Sequence, residues 1–337
     1  MSPAQRRVLQ RAVLPARQQA RGAALLLALL TVSLVSLVAA QAFWQQWRGM
    51  EIEQADRSRL QARWLLGGSL DWARARLRDD GQRNSRVDHA SETWGQPIVQ
   101  MPLSQFLAGA QTADAALPQA TLSMQLTDAQ GKLNALNLLE GQNLSPLWLQ
   151  AFTTLFELLA LPPEQLETLG QNLRAASVAL NAADGPAGAA GAAGAAASAA
   201  LLPQQLAQLT WLGLAPETLA ALQPHVSLLP TRTPVNLNSA SAEVLRAVVP
   251  GLTRVDAQRW LALRQFKLLQ SVGEAPLGGA LAEGQYSVNS RFYELRSEVK
   301  MGALSVAEHV LLQRDGAEVR TLWRRGTEPV LSAATPP

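Results

Sequence analysis

The stretch Arg21-Gly22-Ala23-Ala24-Leu25-Leu26-Leu27 decides how this chain is read. Ahead of it, a leader carries Arg6, Arg7, Arg11, Arg17 and Arg21 and no acidic residue. Behind it, the 26 residues from Gly22 to Trp47 carry no charge. As a helix, Ala23 to Ala40 would span roughly 27 Å, near the thickness of a hydrocarbon core. Ala23, Leu27, Leu30, Leu34 and Leu37 are the expected anchor positions, with Trp44 beyond them. Thr31, Ser33 and Ser36 can return their hydroxyls to carbonyls one turn back, which makes them tolerable in lipid. Phe43, Trp44 and Trp47 form an aromatic belt at the far interface, and the arginine leader keeps the N-terminus on the cytoplasmic side.

Three readings of this segment compete. It is a plain signal anchor, or a cleaved secretory signal with Ala40-Gln41-Ala42 as the cleavage site. The third is a prepilin-type leader cut after Gly22, which leaves the apolar helix in the mature chain.

The 337 residues allow about two domains beyond the membrane segment. The absence of cysteine excludes disulfides, thiolate metal sites and cysteine nucleophiles. The net charge of +3 owes much to the leader: from Ala23 onward there are 24 basic and 26 acidic residues. The body therefore has no global excess of positive charge to attract phosphates.

From Arg48 to Asp80 a helical pattern continues, with Ile52, Ala55, Trp64, Leu65, Trp72, Ala73 and Leu77 as its apolar positions. Gly67-Gly68 is expected to loosen it and Asp80-Gly81 to end it. Thr121 to Thr127 alternates like a strand, and Asp128-Ala129-Gln130-Gly131 reads as a turn. Residues 144–180 return to helix, with a second helix opening at Leu161-Pro162-Pro163-Glu164. Gly185 to Ala200 holds ten alanines, four glycines, one proline and one serine. It lacks the large side chains needed to offset chain entropy and reads as a flexible loop. Leu201 to Val226 is expected to resume helix, interrupted by prolines.

Pro234-Val235-Asn236-Leu237-Asn238-Ser239-Ala240-Ser241 offers N-caps to an apolar run with Leu245, Val248 and Val249. Pro250-Gly251-Leu252 breaks that run, and Thr253 can cap a second helix reaching Leu263 and Arg264. This helix–hairpin–helix over 235–264 is the best argument for DNA binding. A DNA-binding hairpin has a Gly-x-Gly turn whose amides approach phosphate, and here Thr253 replaces the second glycine. Packing alone is the preferred reading. From Tyr286 the pattern returns to sheet, with Glu294, Arg296, Glu298 and Lys300 on one face. Turns fall at Met301-Gly302 and Asp315-Gly316. The tail from Thr327 to Pro337 is expected to be disordered. His89, His225 and His309 have no metal-ligand spacing and no serine or aspartate signature.

These stretches together resemble a minor pseudopilin of the type II secretion system, the K type. The resemblance runs from Arg21 to about Arg325. It is carried by Arg21-Gly22-Ala23, by Gln61-Ala62-Arg63-Trp64 to Arg74, by the 234–264 segment and by Tyr286-Ser287-Val288-Asn289-Ser290-Arg291-Phe292-Tyr293. It implies an α+β, pilin-like fold, in which a long N-terminal transmembrane and stalk helix packs on a small antiparallel sheet with a large inserted helical domain. The expected divisions are leader 1–22, transmembrane helix 23–43, stalk 44–81, split sheet 82–143 and 285–326, and insertion 144–284. It further implies peptidase processing after Gly22, N-methylation of Ala23 and no enzymatic activity. The fifth mature residue is glutamate in most pseudopilins. Here it is Leu27, as the K type implies.

The implied setting is the bacterial inner membrane, with the body in the periplasm at the tip of a short filament. The implied partners are I-type and J-type minor pseudopilins, with the H type and the major pseudopilin as further candidates. Prepilin peptidase, and the secretin or secreted cargo, complete the set; nucleic acid is not among them. Calcium is the cofactor considered, with Asp184 its candidate ligand. A membrane-anchored DNA-uptake protein using the 235–264 hairpin is the alternative function.

Overall fold

The computed structural model describes residues 19–83, 86–107, 120–183, 201–275, 284–326 and 330–331. The chain forms two compact units, Met1–Leu60 and Gln61–Pro337. Helix α1 (Gln19–Arg83) contributes to both.

In the first unit every large apolar side chain from Leu25 to Ile52 is more than half exposed. A helix that is apolar all round has no single face with which to bury itself in water, so this segment requires lipid or other helices. Beyond the apolar run the surface turns charged, with i,i+4 and i,i+3 pairs Arg57–Glu53 at 2.5 Å and Arg59–Asp56 at 3.2 Å.

In the second unit α1 has one buried stripe: Ala62, Leu66, Leu70, Ala73 and Leu77. Steps of four and three keep these residues on one face. They pack on the sheet residues Leu122, Leu126, Leu295, Val299, Val310 and Leu312. Ser69 Oγ meets Ser297 Oγ at 3.1 Å, and Arg74 Nη2 donates to Thr321 Oγ1 at 2.6 Å. Of the expected apolar positions, Ala73 and Leu77 join this stripe, whereas Leu65 and Trp72 are only partly buried. Ile52 and Ala55 are exposed, and Trp64 is 80% exposed. Trp64 lies two residues from both Ala62 and Leu66, about 200° round the helix from each, so it faces away. Gly67 and Gly68 do not interrupt the helix, which ends at Arg83.

After α1 come β1 (Ile98–Pro102), the short α2 (Leu103–Leu107) and β2 (Ala120–Asp128). A helical region follows. Its first part holds β3 (Leu133–Asn134), β4 (Leu139–Glu140) and β5 (Asn143–Leu144), then α3 (Pro146–Leu158) and α4 (Pro163–Ala183). Its second part holds α5 (Pro216–Leu222), β6 (Val226–Ser227), β7 (Val235–Asn236), α6 (Ala242–Val248), α7 (Arg254–Arg264) and β8 (Tyr286–Ser287). The chain then returns to the sheet with β9 (Phe292–Met301), β10 (Leu304–Asp315), β11 (Glu318–Gly326) and β12 (Val330–Leu331).

The main sheet is antiparallel in the order β1-β2-β9-β10-β11. β2 and β9 are neighbours, with Asp128 opposite Tyr293, so the helical region leaves and re-enters at one end of one strand pair. Two-residue loops carry glycine at their first position, Gly302 and Gly316, both at positive φ. That placement is the one a type II′ hairpin needs.

Three further expectations change. Residues 133–144 belong with the helices rather than the sheet: Leu133, Leu138 and Leu139 pack with Phe152, Leu155 and Leu245 in one core. Short strands pairing β3 with β6 and β4 with β5 tie them there. The tail is not wholly without structure either, since Val330 and Leu331 pair with Ser305 and Leu304 of β10. Residues 201–226 are less helical than expected. Leu206–Leu212 is a 3-10 turn, and only Pro216–Leu222 is α-helical.

Candidate functional site

Gly22 and Ala23 lie in helical backbone and are exposed. Among the described residues, nothing beyond its own helix backbone would lie within 4 Å of a Cβ at Gly22. The anchor positions Leu27, Leu30, Leu34, Leu37 and Trp44 are each at least 60% exposed. Arg48 sits over the Trp44 ring at 5.0 Å, a pairing suited to a headgroup boundary. By length and composition α1 can cross a membrane. Residues 1–18, Asp184 and the Ala/Gly stretch 185–200 lie outside the described residues.

The second feature is a buried polar junction where α1, the sheet and the helical region meet. Asp88 has no exposed surface and Arg314 has 4%. Arg314 donates to Asp88 Oδ1 and to Asp80 Oδ2, both at 2.5 Å. Asp88 also accepts from the Tyr293 hydroxyl at 2.9 Å and from the Ser290 amide at 2.7 Å. Asp128 accepts from the Ser290 hydroxyl at 2.6 Å and from Asn236 Nδ2 at 2.9 Å. Asn236 Nδ2 further meets the Asp88 carbonyl at 3.0 Å, which joins the helical region to the linker after α1. The members of such a buried network depend on one another, because either partner left alone would carry the full cost of desolvation.

Burial pushes the Asp80 and Asp128 carboxyls up, and it pushes Glu92 up to about 8, helped by the charge of Asp80. Oxygens of Asp80, Asp88 and Glu92 lie within 4.8 Å of one another. The Arg314 guanidinium already supplies the cation for Asp80 and Asp88, and both Asp88 oxygens are committed to protein donors. The cluster therefore reads as a structural clamp.

The asparagines extend this bracing. Asn134 Nδ2 donates to the Thr231 carbonyl at 2.7 Å, and its oxygen accepts from Leu136 and Leu229 at 3.1 Å. Asn238 exchanges both bonds with the Leu269 backbone, at 3.0 and 3.1 Å. Ser241, rather than an asparagine, caps α6 by accepting from the Val244 amide at 3.3 Å.

The helix–hairpin–helix is present as α6 and α7. Gly251 holds φ +77 at its turn. Thr253 caps α7, accepting from the Asp256 amide at 3.2 Å and donating its hydroxyl to Asp256 Oδ2 at 2.6 Å. A carboxylate thus sits at the helix end where a phosphate would have to approach. Arg264 turns inward and donates to the Leu237 and Ala240 carbonyls at 2.9 and 2.8 Å. Both features oppose DNA recognition and favour packing. Each histidine has a local neighbour: His89 meets Ser91 Oγ at 2.7 Å, His225 meets Ser241 Oγ at 3.3 Å, and His309 lies edge-on to Trp323.

Comparison with known proteins bears on this arrangement. Residues 131–231 and 235–289 each match a family model described as Type II secretion system (T2SS), protein K. The first match begins where the helical core begins, at the turn after β2. The chain is 28% identical over 306 residues to the Type II secretion system protein K of Pseudomonas aeruginosa, covering 85% of this chain and 86% of that protein. Its fold matches a chain in the crystal structure of the GspK-GspI-GspJ complex from enterotoxigenic Escherichia coli. The TM-score is 0.59 at 19% identity, covering 82% of this chain and 99% of the other.

Proposed function

The chain belongs to the type II secretion system protein K family, and from that premise we propose that it is a non-enzymatic minor pseudopilin at the tip of the secretion filament. The observation that carries the proposal is the contrast within one subunit: a bare apolar helix beside Gly22 and a bulky helical region inserted between β2 and β9. The helix inserts in the inner membrane with the body in the periplasm. Prepilin peptidase cuts after Gly22, and Ala23 becomes the methylated N-terminus. Leu27 supports this reading, because a subunit with nothing above it has no neighbouring amine to neutralise with a glutamate.

The mechanism is steric. Residues 131–289 would block addition of another subunit above, so the filament grows from the membrane side, with I-type and J-type minor pseudopilins as the adjoining subunits. The GspK-GspI-GspJ complex of the structural relative supports that choice of partners. Gold-labelled antibody against residues 131–231 tests the position on filaments sheared from cells. Labelling at one end is expected, and labelling along the length contradicts the tip reading.

A further inference from the structure

We propose that the outer face of the sheet, beside the helical region, is a binding groove for an acidic peptide segment of a partner protein. The strand registers place Gln125 opposite Arg296, Arg296 opposite His309, and His309 opposite Arg325. These four residues therefore form one row across β2, β9, β10 and β11, on the side away from α1. Neighbouring strands lie about 4.8 Å apart, so Arg296 and Arg325 start roughly 10 Å apart.

Among the described residues, the carboxylates around this row are already matched. Glu294 meets Lys132 at 3.3 Å and His309 at 3.7 Å. Glu298 meets Lys300 at 3.5 Å and accepts from Ser305 at 2.6 Å. Glu308 pairs with Arg324 on the opposite face. The side chains of Arg296 and Arg325 are exposed and have no ion pair or hydrogen bond among the described residues. Two unmatched guanidinium groups thus stand over a floor whose own acids are neutralised.

The row lies in a formed depression. One cavity of about 200 Å³ is walled by Leu206 and Leu219 of the helical region and by Trp323 of the sheet. A second, of about 450 Å³, runs on to Ile98 and Val99 of the edge strand β1. Gln223, Arg296 and His309 line both, so the two form one groove. Val99 is 73% exposed at its far end. Cations at one end and apolar surface at the other suit an extended segment that mixes carboxylates with apolar side chains. Each guanidinium fork matches a carboxylate in a two-bond geometry that an ammonium cannot give. A strand-like peptide sends alternate side chains to one face, so its acidic residues can reach both arginines. The groove stands independently of the filament-tip reading, because neither Gly22 nor the anchor enters the argument.

The test uses the full-length chain in detergent micelles and a short fluorescein-labelled peptide of alternating glutamate and leucine, read by anisotropy. Binding is expected, and it is expected to weaken as salt is raised. The double variant Arg296→Ser with Arg325→Ser is expected to bind at least about tenfold more weakly. Arg254→Ser with Arg259→Ser, on the hairpin, is expected to bind as the parent does. Arg296→Lys with Arg325→Lys keeps the charge and loses the forks, and an intermediate affinity is expected. That pair decides the matter if the serine pair fails to fold. Lysine-variant binding equal to the parent, or unchanged serine-variant binding, overturns the proposal. Full displacement of the peptide by inorganic phosphate at matched ionic strength also overturns it and leaves a small-anion site. Equal binding of oligothymidylate overturns it in favour of nucleic acid.

Discussion

Both halves of α1 carry leucines on one continuous helical backbone, and those leucines have opposite surroundings. Leu27, Leu30, Leu34 and Leu37 are each more than 60% exposed, whereas Leu66, Leu70 and Leu77 are each 4% exposed or less. The difference lies in what surrounds the leucines in sequence. Between Gly22 and Trp47 no charged residue interrupts, so no face is polar and none can be presented to water. Between Gln61 and Arg83 charged residues fill the intervals and one stripe is left for the sheet. A helix facing lipid and a helix facing a protein core are thus told apart by what lies between the apolar residues, more than by how many there are.

That contrast predicts where substitutions are felt, and the largest effect belongs to the buried junction. Arg314→Met would leave Asp88 charged and enclosed, and a loss of about 3–5 kcal/mol is expected in chemical unfolding of the body. Adding Asp88→Asn to Arg314→Met is expected to recover part of it, since the orphaned charge is then gone. A double variant no better than the single one breaks the clamp reading.

Next comes the contact of α1 with the β10–β11 hairpin. A Cβ on Gly81 would lie 2.2 Å from the Gly316 carbonyl oxygen, so backbone must move to admit it. Gly81→Ala is expected to cost about 1–3 kcal/mol. Gly68→Ala, with nothing within 4 Å of its Cβ, is expected to stabilise slightly. Equal melting temperatures for the two variants would show that the hairpin does not hold the helix.

A smaller effect is expected at the end of α3. There the Leu161 amide bonds the Phe156 carbonyl at 2.9 Å and the Ala160 amide bonds the Glu157 carbonyl at 3.2 Å. This is a Schellman ending with alanine in place of the usual glycine, at φ +53. Ala160→Gly is expected to raise stability by about 1 kcal/mol, seen as a higher melting temperature.

The pH dependence of the junction has a definite sign. Burial raises Glu92 to about 8, so the folded chain holds a proton that the unfolded chain releases above its ordinary value of 4.5. Stability from this source is complete below about 4.5 and is lost as pH rises toward 8. Glu92→Gln is expected to lie above the parent in melting temperature near pH 8 and to converge with it near pH 5. His225, pushed down by burial, acts with the opposite sign in both chains and cancels in the comparison. Glu294 is different again. Burial alone would raise it, but His309 and Lys132 outweigh that and hold it at about 2, so it contributes stability that is lost only in acid.

Local signals in the sequence revealed the local elements. Alternation identified β2 and β9, glycine placement identified the two hairpins, and Thr253 identified the start of α7. Strand patterns on either side of a helical stretch already read as one sheet split in sequence, and β2 does pair with β9 across the helical region. What stayed hidden was long-range. Asp88 and Arg314 are 226 positions apart, and nothing near either residue marks them as partners. Asn134, Asn236 and Asn238 resemble turn or cap residues in isolation, and only the folded chain shows them bracing loops. The packing stripe of α1 was obscured because one of its bulkiest side chains, Trp64, lies off it. The groove row was legible as alternation in β9, but the unmatched state of Arg296 emerges only when β10 and β11 are placed beside it.

The measurement that tests the central claim most directly is the intact mass of the mature chain, extracted from the membranes of its native host. A chain beginning at Ala23 with one methyl group is the predicted result, because the exposed apolar half of α1 must be retained for the subunit to sit in a membrane-derived filament. A chain beginning at Phe43 would contradict the account, since the apolar helix would then be discarded and the body released from the membrane.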